Sequence, residues 1–363
     1  MTGARAFFAG HNLLRLLLVF VPASFYLAWT HADPTWVFVV SCVAVLPLAG
    51  LMGEATEHLT HHTGPSVGGL LNASFGNAAE LILAFMALRA GEKEIVKASL
   101  TGSIIGNMLM VLGLAMLLGG WKRKELVFNR LSAESSSSMM VLAVVALVIP
   151  AIYALVTHHT HPEHIESISL DISYILILTY AASLLFSLKT HERLFEPPGG
   201  TGDADDAAPE KPWSVTRSLV VLLAAAVLVG FVAEFLVHAV AEAGKALGLG
   251  KVFMGVVVVA IVGNAAEHST AVTVAMKNKM DLSLGIAMGS SMQIALFVAP
   301  VLVIVGHFTG TPLGLEFTIL EVVAVMLSTG AVALLIHDGK TNWFEGVQLL
   351  AIYAILAIAF YFV

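Results

Sequence analysis

The chain has 363 residues, of which 58% are hydrophobic and 12% are charged, and its net charge is −7 at pH 7. A soluble domain carries about 25% charged residues, so this composition excludes an ordinary soluble protein and predicts an all-α polytopic membrane protein. The single cysteine, Cys42, excludes a disulfide within the chain.

Long apolar stretches recur along the sequence, and each can cross a hydrocarbon core about 30 Å thick as a helix. They predict about 11 spans, at roughly 13–30, 36–60, 66–89, 95–119, 136–157, 169–188, 214–243, 252–276, 282–307, 314–336 and 343–363. The N-terminus leads into the first span without a small-residue cleavage site, so we expect no cleaved signal. Residues 191–213 are rich in proline, glycine and acidic residues, which predicts a flexible cytoplasmic linker.

The distribution of lysine and arginine predicts the orientation. With a cytoplasmic N-terminus, 13 of these residues face the cytoplasm and 5 face outward, namely Arg89, Lys93, Lys97, Lys245 and Lys251. In the absence of a targeting sequence, a prokaryotic plasma membrane is the expected location.

The pentapeptide GNAAE occurs at 76–80 and again at 263–267, an offset of 187 residues. The same offset places Gly102-Ser103 on Gly289-Ser290 without a gap. Five predicted spans separate equivalent positions, so the two copies cross the membrane in opposite directions. Inverted repeats of this kind are typical of secondary transporters, whose site lies near the bilayer midplane.

Each repeat carries the same set of polar side chains. Asn77 and Glu80 are three residues apart, as are Asn264 and Glu267, so each pair shares a helix face. The next span adds Ser103 and Asn107 in the first repeat, and Ser290 and Gln293 in the second. The small residues beside them, including Gly102 and Gly289, are expected to let backbone carbonyls approach a ligand.

A carboxylate inside a membrane faces a partner or an aqueous cavity, and the spans offer almost no basic residue to pair with Glu80 or Glu267. Two facing carboxylates with amide, hydroxyl and carbonyl oxygens suit a hard divalent cation, calcium above all. Once the cation leaves, the two carboxylates cannot both stay ionised, so they take up protons. Cation and protons then compete for one site, which is the requirement for antiport. His268 is either a ligand or a packing residue.

Other polar positions have a functional and a structural interpretation. Glu57 and Glu234 precede the two pentapeptides and form either an outer carboxylate shell or water-exposed interfaces. The stretch His158–His164 is a zinc site or a solvated loop, and the acidic stretch 203–206 is a calcium sensor or a solvated linker.

These motifs resemble the calcium/proton antiporters of the calcium/cation exchanger superfamily. The resemblance rests on GLLNASFGNAAELI and SLTGSIIGNML in the first half, and on GNAAEHSTAV and GIAMGSSMQIALFVAP in the second. It implies an extra N-terminal helix in 1–35, a five-helix repeat in 36–190, the acidic linker 191–213 and a second, inverted five-helix repeat in 214–363. It also implies that Glu80 and Glu267 are the cation and proton carriers, helped by Asn77, Asn264, Ser103 and Ser290.

The function predicted from the sequence is therefore exchange of calcium for protons, without a cofactor. Coupling to sodium or potassium, transport of another divalent cation, and a passive cation channel are the alternatives. A membrane enzyme ranks last, because the HExxH pattern of two metal ligands on one helix face is missing. The expected partners are calcium, protons and the lipid bilayer, with no nucleic acid, and a homo-oligomer remains open.

Overall fold

The structure is a computed structural model that describes residues 15–63, 68, 71, 74–157, 162–191 and 212–363. Eleven helices lie within these residues when segments that continue one another are counted together, which confirms the predicted number. They are α1 (Leu17–Trp29), α2 (Pro34–Thr60), α3 (Ala78–Arg89), α4 (Lys93–Gly120), α5 (Arg130–Val156), α6 (Glu163–Thr190), α7 (Val215–Leu247), α8 (Lys251–Met276), α9 (Met280–Thr309), α10 (Ile319–Leu335) and α11 (Trp343–Tyr361). Two short strands, β1 (Leu126–Val127) and β2 (Lys340–Thr341), pair antiparallel.

Eight of the helices in the described part are long and apolar enough to span a membrane, and α1 and α10 are shorter apolar helices. The chain is an integral membrane protein. Half of the residues from 66 to 77, which complete the predicted third span before α3, lie outside the described residues, as do 158–161 of the histidine-rich stretch and the whole of 203–206.

Three predicted helix boundaries were wrong by a few residues. Helix α5 begins at Arg130 rather than at 136, because the side chain of Asn129 accepts a hydrogen bond from the backbone N–H of Ser132 and so caps the first turn. Helix α6 also begins earlier, at about 162 rather than 169. Helix α10 begins at Ile319 rather than at 314, because Thr318 and Glu321 form a reciprocal capping box there.

The chain forms two compact units. Unit 1 comprises Met1–Val96 and Pro212–Ala266, and unit 2 comprises Lys97–Lys211 and Glu267–Val363. Each unit draws on both repeats, so the units cut across the repeats. The four segments predicted from the sequence therefore remain a prediction.

Unit 1 is built around α2 and α7, which occupy equivalent places in the two repeats and pack along each other. Their buried faces meet through small and branched apolar residues, among them Ala44, Val45, Val229 and Val232. Asp33 begins α2 by accepting a hydrogen bond from the N–H of Thr35, with Pro34 in the first helical position, where a missing N–H is harmless.

In unit 2, helix contacts made by one repeat are matched by contacts between the equivalent helices of the other repeat. The last turns of α4 pack on α11, and the equivalent helices α9 and α6 also pack together, while α5 packs on its own equivalent, α10. The α4–α11 contact is very close, because a Cβ added at Gly346 would lie 2.6 Å from the carbonyl oxygen of Gly113. The two inverted five-helix repeats and the extra helix α1 are thus present, as predicted.

Candidate cation-binding site

The first glutamate of the repeated pentapeptide lies in unit 1. Asn77 immediately precedes α3 and Glu80 lies in its first turn, and the two residues are 3% and 8% exposed. The N-terminal turn of a helix carries partial positive charge from its free N–H groups, which favours a carboxylate there. Burial of both side chains agrees with the prediction that they face the protein interior.

The second copy of the pentapeptide begins beside this glutamate, inside the same unit. A Cβ added at Gly263 would meet Glu80 Cγ and Leu83 Cδ1, both at 3.6 Å. The neighbouring Asn264 is buried and donates a hydrogen bond from Nδ2 to the carbonyl oxygen of Ala260, at 2.9 Å. Glycine at position 263 therefore leaves room for the Glu80 side chain against α8.

The second glutamate, Glu267, lies in α8 and belongs to unit 2. Its carboxylate is hydrogen-bonded to Ser290 of α9. The other oxygen, Oε2, is buried and has no hydrogen-bond partner among the described residues. Within those residues no lysine or arginine forms a salt bridge with Glu267, and no three histidine, cysteine or acidic side chains converge to hold a metal ion. Oxygen ligands for a hard cation would therefore come from the amide, hydroxyl and carbonyl groups as well as the carboxylates.

Asn107 connects this serine to His268. Its Nδ2 donates to Ser290 Oγ at 3.0 Å, and its Oδ1 lies 2.9 Å from His268 Nε2. Asn107 is 1% exposed and Ser290 is 5% exposed. Unit 2 thus brings together four residues that the sequence indicated separately, namely Glu267, Ser290, Asn107 and His268.

Two of the three helices that carry these residues contain a π-helical segment at the polar motif: Asn107 lies within that of α4, and that of α9 begins directly after Gln293. The π segments are Gly106–Val111 in α4 and Ile294–Val298 in α9, at equivalent positions of the two repeats. A third, Met254–Val259, precedes the second pentapeptide in α8. Such π segments are frequent at functional sites, because the inserted residue leaves a backbone carbonyl without its usual helical partner.

The remaining candidates occupy varied positions. Ser103 and Gly102 are buried in α4, and Gln293 is half-buried in α9. A Cβ added at Gly289 would meet nothing within 4 Å, so this glycine is not needed for close helix packing. Glu57 and Glu234 are exposed, so both alternatives for these two acids stay predictions.

Sequence reasoning missed one polar cluster, which lies in unit 2. The Lys97 ammonium binds Oε1 of Glu316 at 2.7 Å and the carbonyl oxygen of the same residue at 2.6 Å, with side chains 15% and 26% exposed. Glu321 is 3% exposed and accepts hydrogen bonds from Thr318. The expectation that the spans hold almost no buried basic residue overlooked the half-buried Lys97. The T-x-x-E capping pattern at 318–321 was the available signal for Glu321.

The comparison with protein families identifies the chain. The model of the family described as sodium/calcium exchanger protein matches residues 34–189 and 217–362. The chain belongs to this family. Both matched stretches contain one copy of GNAAE, which agrees with the repeat found in the sequence.

Within this family, the chain is similar to several proteins that are named calcium/proton antiporters. It is 46% identical over 355 residues to the Ca(2+)/H(+) antiporter of Aphanothece halophytica, covering 95% of each chain. It is 43% identical to the Ca(2+)/H(+) antiporter ChaA of Bacillus subtilis, covering 94% of this chain and 96% of that one. The structure of native YfkE matches with a TM-score of 0.83 and 39% identity, covering 96% and 100% of the two chains. The predicted resemblance to calcium/proton antiporters is confirmed.

Proposed function

We propose that this exchanger moves calcium in one direction and protons in the other across a membrane by alternating access. Glu80 and Glu267 bind either calcium or protons, and only the loaded forms of the protein convert between inward- and outward-open states. The names of its relatives, calcium/proton antiporters 46% and 43% identical to it, support this substrate pair.

The observation that carries the proposal is the environment of Glu267. This carboxylate lies in a membrane-spanning helix and has a hydroxyl as its hydrogen-bond partner, with no basic side chain bonded to it in the part of the chain that the structure describes. A carboxylate held in this way is stable when it binds a cation or a proton, and it is costly when it is ionised and empty. Competition between calcium and protons follows from that difference.

The positive-inside distribution of lysine and arginine supports a cytoplasmic N-terminus, and the bacterial relatives support a prokaryotic plasma membrane. In that orientation an inward proton gradient would drive calcium out of the cell.

The test is calcium uptake into proteoliposomes with an imposed proton gradient, and separately with a sodium gradient. Wild type is compared with Glu80→Gln and Glu267→Gln, and with Glu242→Gln, an exposed acid paired with Lys245, as the matched control. We expect proton-driven uptake in wild type and the control, and loss of uptake in the other two variants.

Three results would contradict the proposal. Uptake that requires sodium would make the protein a sodium-coupled exchanger. Calcium flux without any counter-gradient would indicate a channel. Full activity in either Glu80→Gln or Glu267→Gln would show that the repeated pentapeptide is structural.

A further inference from the structure

The hydrogen-bonded side chains of Glu267, Ser290, Asn107 and His268 form a network, and two of its members have apolar residues at the equivalent positions of the other repeat. Under the 187-residue offset, His268 corresponds to Leu81 and Asn107 corresponds to Ile294. Neither leucine nor isoleucine has a side-chain donor or acceptor. The two repeats therefore share a glutamate, an asparagine and a serine, and at the second glutamate Ser290 adds a connection to Asn107 and His268, two residues whose offset positions in the other repeat are apolar.

The chemistry of these groups decides which of them donates and which accepts in each hydrogen bond of the network. An asparagine amide donates only through Nδ2 and accepts only through Oδ1. With Nδ2 directed at Ser290 Oγ, Oδ1 faces His268 Nε2, so the imidazole must present Nε2–H to it. Ser290 Oγ accepts the hydrogen bond from the Asn107 amide, so its hydroxyl proton is available to donate to the Glu267 carboxylate.

We propose that His268 and Asn107 are positioning residues, which hold the Ser290 hydroxyl as a hydrogen-bond donor to Glu267 and thereby keep this carboxylate oriented for the cation. The inference rests on the proposed function, because it concerns how one of the two glutamates binds calcium. Neither His268 nor Asn107 needs to touch the cation. Their effect passes through the serine and sets the orientation of a single carboxylate.

The asymmetry assigns different tasks to the two glutamates. Glu267 is hydrogen-bonded to Ser290 in unit 2, and Ser290 is in turn held by Asn107 and His268. Glu80, in the first turn of α3, packs against the open side of Gly263. Loss of the network should therefore weaken calcium binding through Glu267 while leaving Glu80 in place.

Substitutions of His268 can distinguish the effect of a hydrogen-bond donor at the position of Nε2 from the effect of side-chain volume. The side-chain amide nitrogen of glutamine reaches the place of imidazole Nε2, whereas that of asparagine reaches only the place of Nδ1. We expect His268→Gln to keep the apparent KM for calcium within about twofold of wild type. His268→Asn and His268→Leu should raise it about tenfold, the size of effect expected from one misdirected buried hydrogen bond.

The measurement is initial-rate calcium uptake over a range of calcium concentrations at fixed pH and fixed proton gradient. It gives KM and maximal rate separately, normalised to correctly inserted protein. His337→Gln and His337→Leu are the matched controls, because His337 is 70% exposed and lies outside the site. A double-mutant cycle adds Asn107→Leu: if His268 acts through Asn107, His268→Leu should change KM little further in that background.

Equal KM values for wild type and His268→Leu would overturn the inference, as would a His268→Gln variant as impaired as His268→Leu. Additive effects of His268→Leu and Asn107→Leu would also contradict it, since they would mean that the two residues act separately. The Glu267→Gln variant distinguishes the two levels of proposal. If that variant is inactive while the His268 variants are normal, the transport proposal stands and the positioning role fails.

Discussion

Ser291 Oγ lies 3.4 Å from the carbonyl oxygen of Ile104, and the two residues are 187 positions apart. That separation equals the repeat offset, so α4 and α9 meet at equivalent residues and the pseudo-two-fold axis of unit 2 passes between them. The polar motifs of the two repeats lie on either side of this contact: Ser103 and Asn107 on α4, Ser290 and Gln293 on α9. Equivalent residues of the two repeats are therefore in direct contact in the structure.

Adjacent serines on α9 offer a first prediction. Ser290 is bonded to Glu267 and Asn107, whereas Ser291 is bonded to the carbonyl oxygens of Ala287 and Ile104. Ser290→Ala should raise the apparent KM for calcium about five- to tenfold, because it removes the hydrogen bond to the carboxylate. Ser291→Ala should leave KM unchanged. Calcium uptake kinetics check both, and equal KM values in the two variants would contradict the assignment.

The space that Gly263 leaves beside Glu80 gives a second prediction. A single Cβ at this position meets Glu80 Cγ and Leu83 Cδ1 at ordinary contact distance, so Gly263→Ala should fold and retain calcium uptake. Gly263→Val places two further methyl groups there and should displace the Glu80 side chain, with at least a tenfold loss of uptake. Overpacking of this kind costs about 1–3 kcal/mol. Proteoliposome uptake, with monodispersity in detergent as the folding control, measures the difference.

The ion pair between Lys97 and Glu316 gives a third prediction. Because both side chains are largely shielded from water, Lys97→Met or Glu316→Gln alone should lower the free energy of unfolding by about 1–3 kcal/mol, since each leaves a partner unsatisfied. The double variant should lose less than the sum. The exposed pair of Lys245 and Glu242 is the control, and Lys245→Met should change stability by under about 1 kcal/mol. Additive losses in the double variant would show that the two residues are not coupled.

The close contact between α4 and α11 gives a fourth prediction. A Cβ at Gly346 would lie 2.5 Å from the backbone nitrogen of Leu117, so Gly346→Ala should force the helices apart and lower stability by about 1–3 kcal/mol. Gly330→Ala is the matched control, because a Cβ there meets nothing within 4 Å. It should be neutral or slightly stabilising, since alanine favours helix. Thermal unfolding in detergent compares them, and equal midpoints would contradict the packing.

Much of the fold was predictable from local sequence features. A bilayer requires every backbone N–H and C=O to be bonded within the segment, so an apolar stretch of sufficient length has to be helical. Helix ends were less predictable. The helices α5 and α10 begin where Asn129 and Thr318 cap them, and a hydrophobicity pattern does not register a cap. Residues 130–135 fell outside the predicted span for the same reason, although they lie within α5.

The candidate site was predictable as a set of residues, because a carboxylate in an apolar stretch is costly and its repetition at a fixed offset is improbable by chance. Their partners were not predictable. Nothing in the spacing of Asn107 and His268 indicates that their side chains meet, since they are 161 residues apart. The burial of Lys97 against Glu316 likewise depends on how the segment before α10 returns to α4.

The sequence by itself determined that this protein is a membrane-embedded helical protein built from two repeats, each with one GNAAE pentapeptide. Those properties follow from hydrophobicity, charge and periodicity, which act locally along the chain. Only the tertiary structure decided that the second glutamate is linked to Ser290, Asn107 and His268, and that Gly263 lies against the first. Hydrogen bonds and close packing between distant helices depend on distances of a few ångströms, and helix packing rather than residue order fixes those distances.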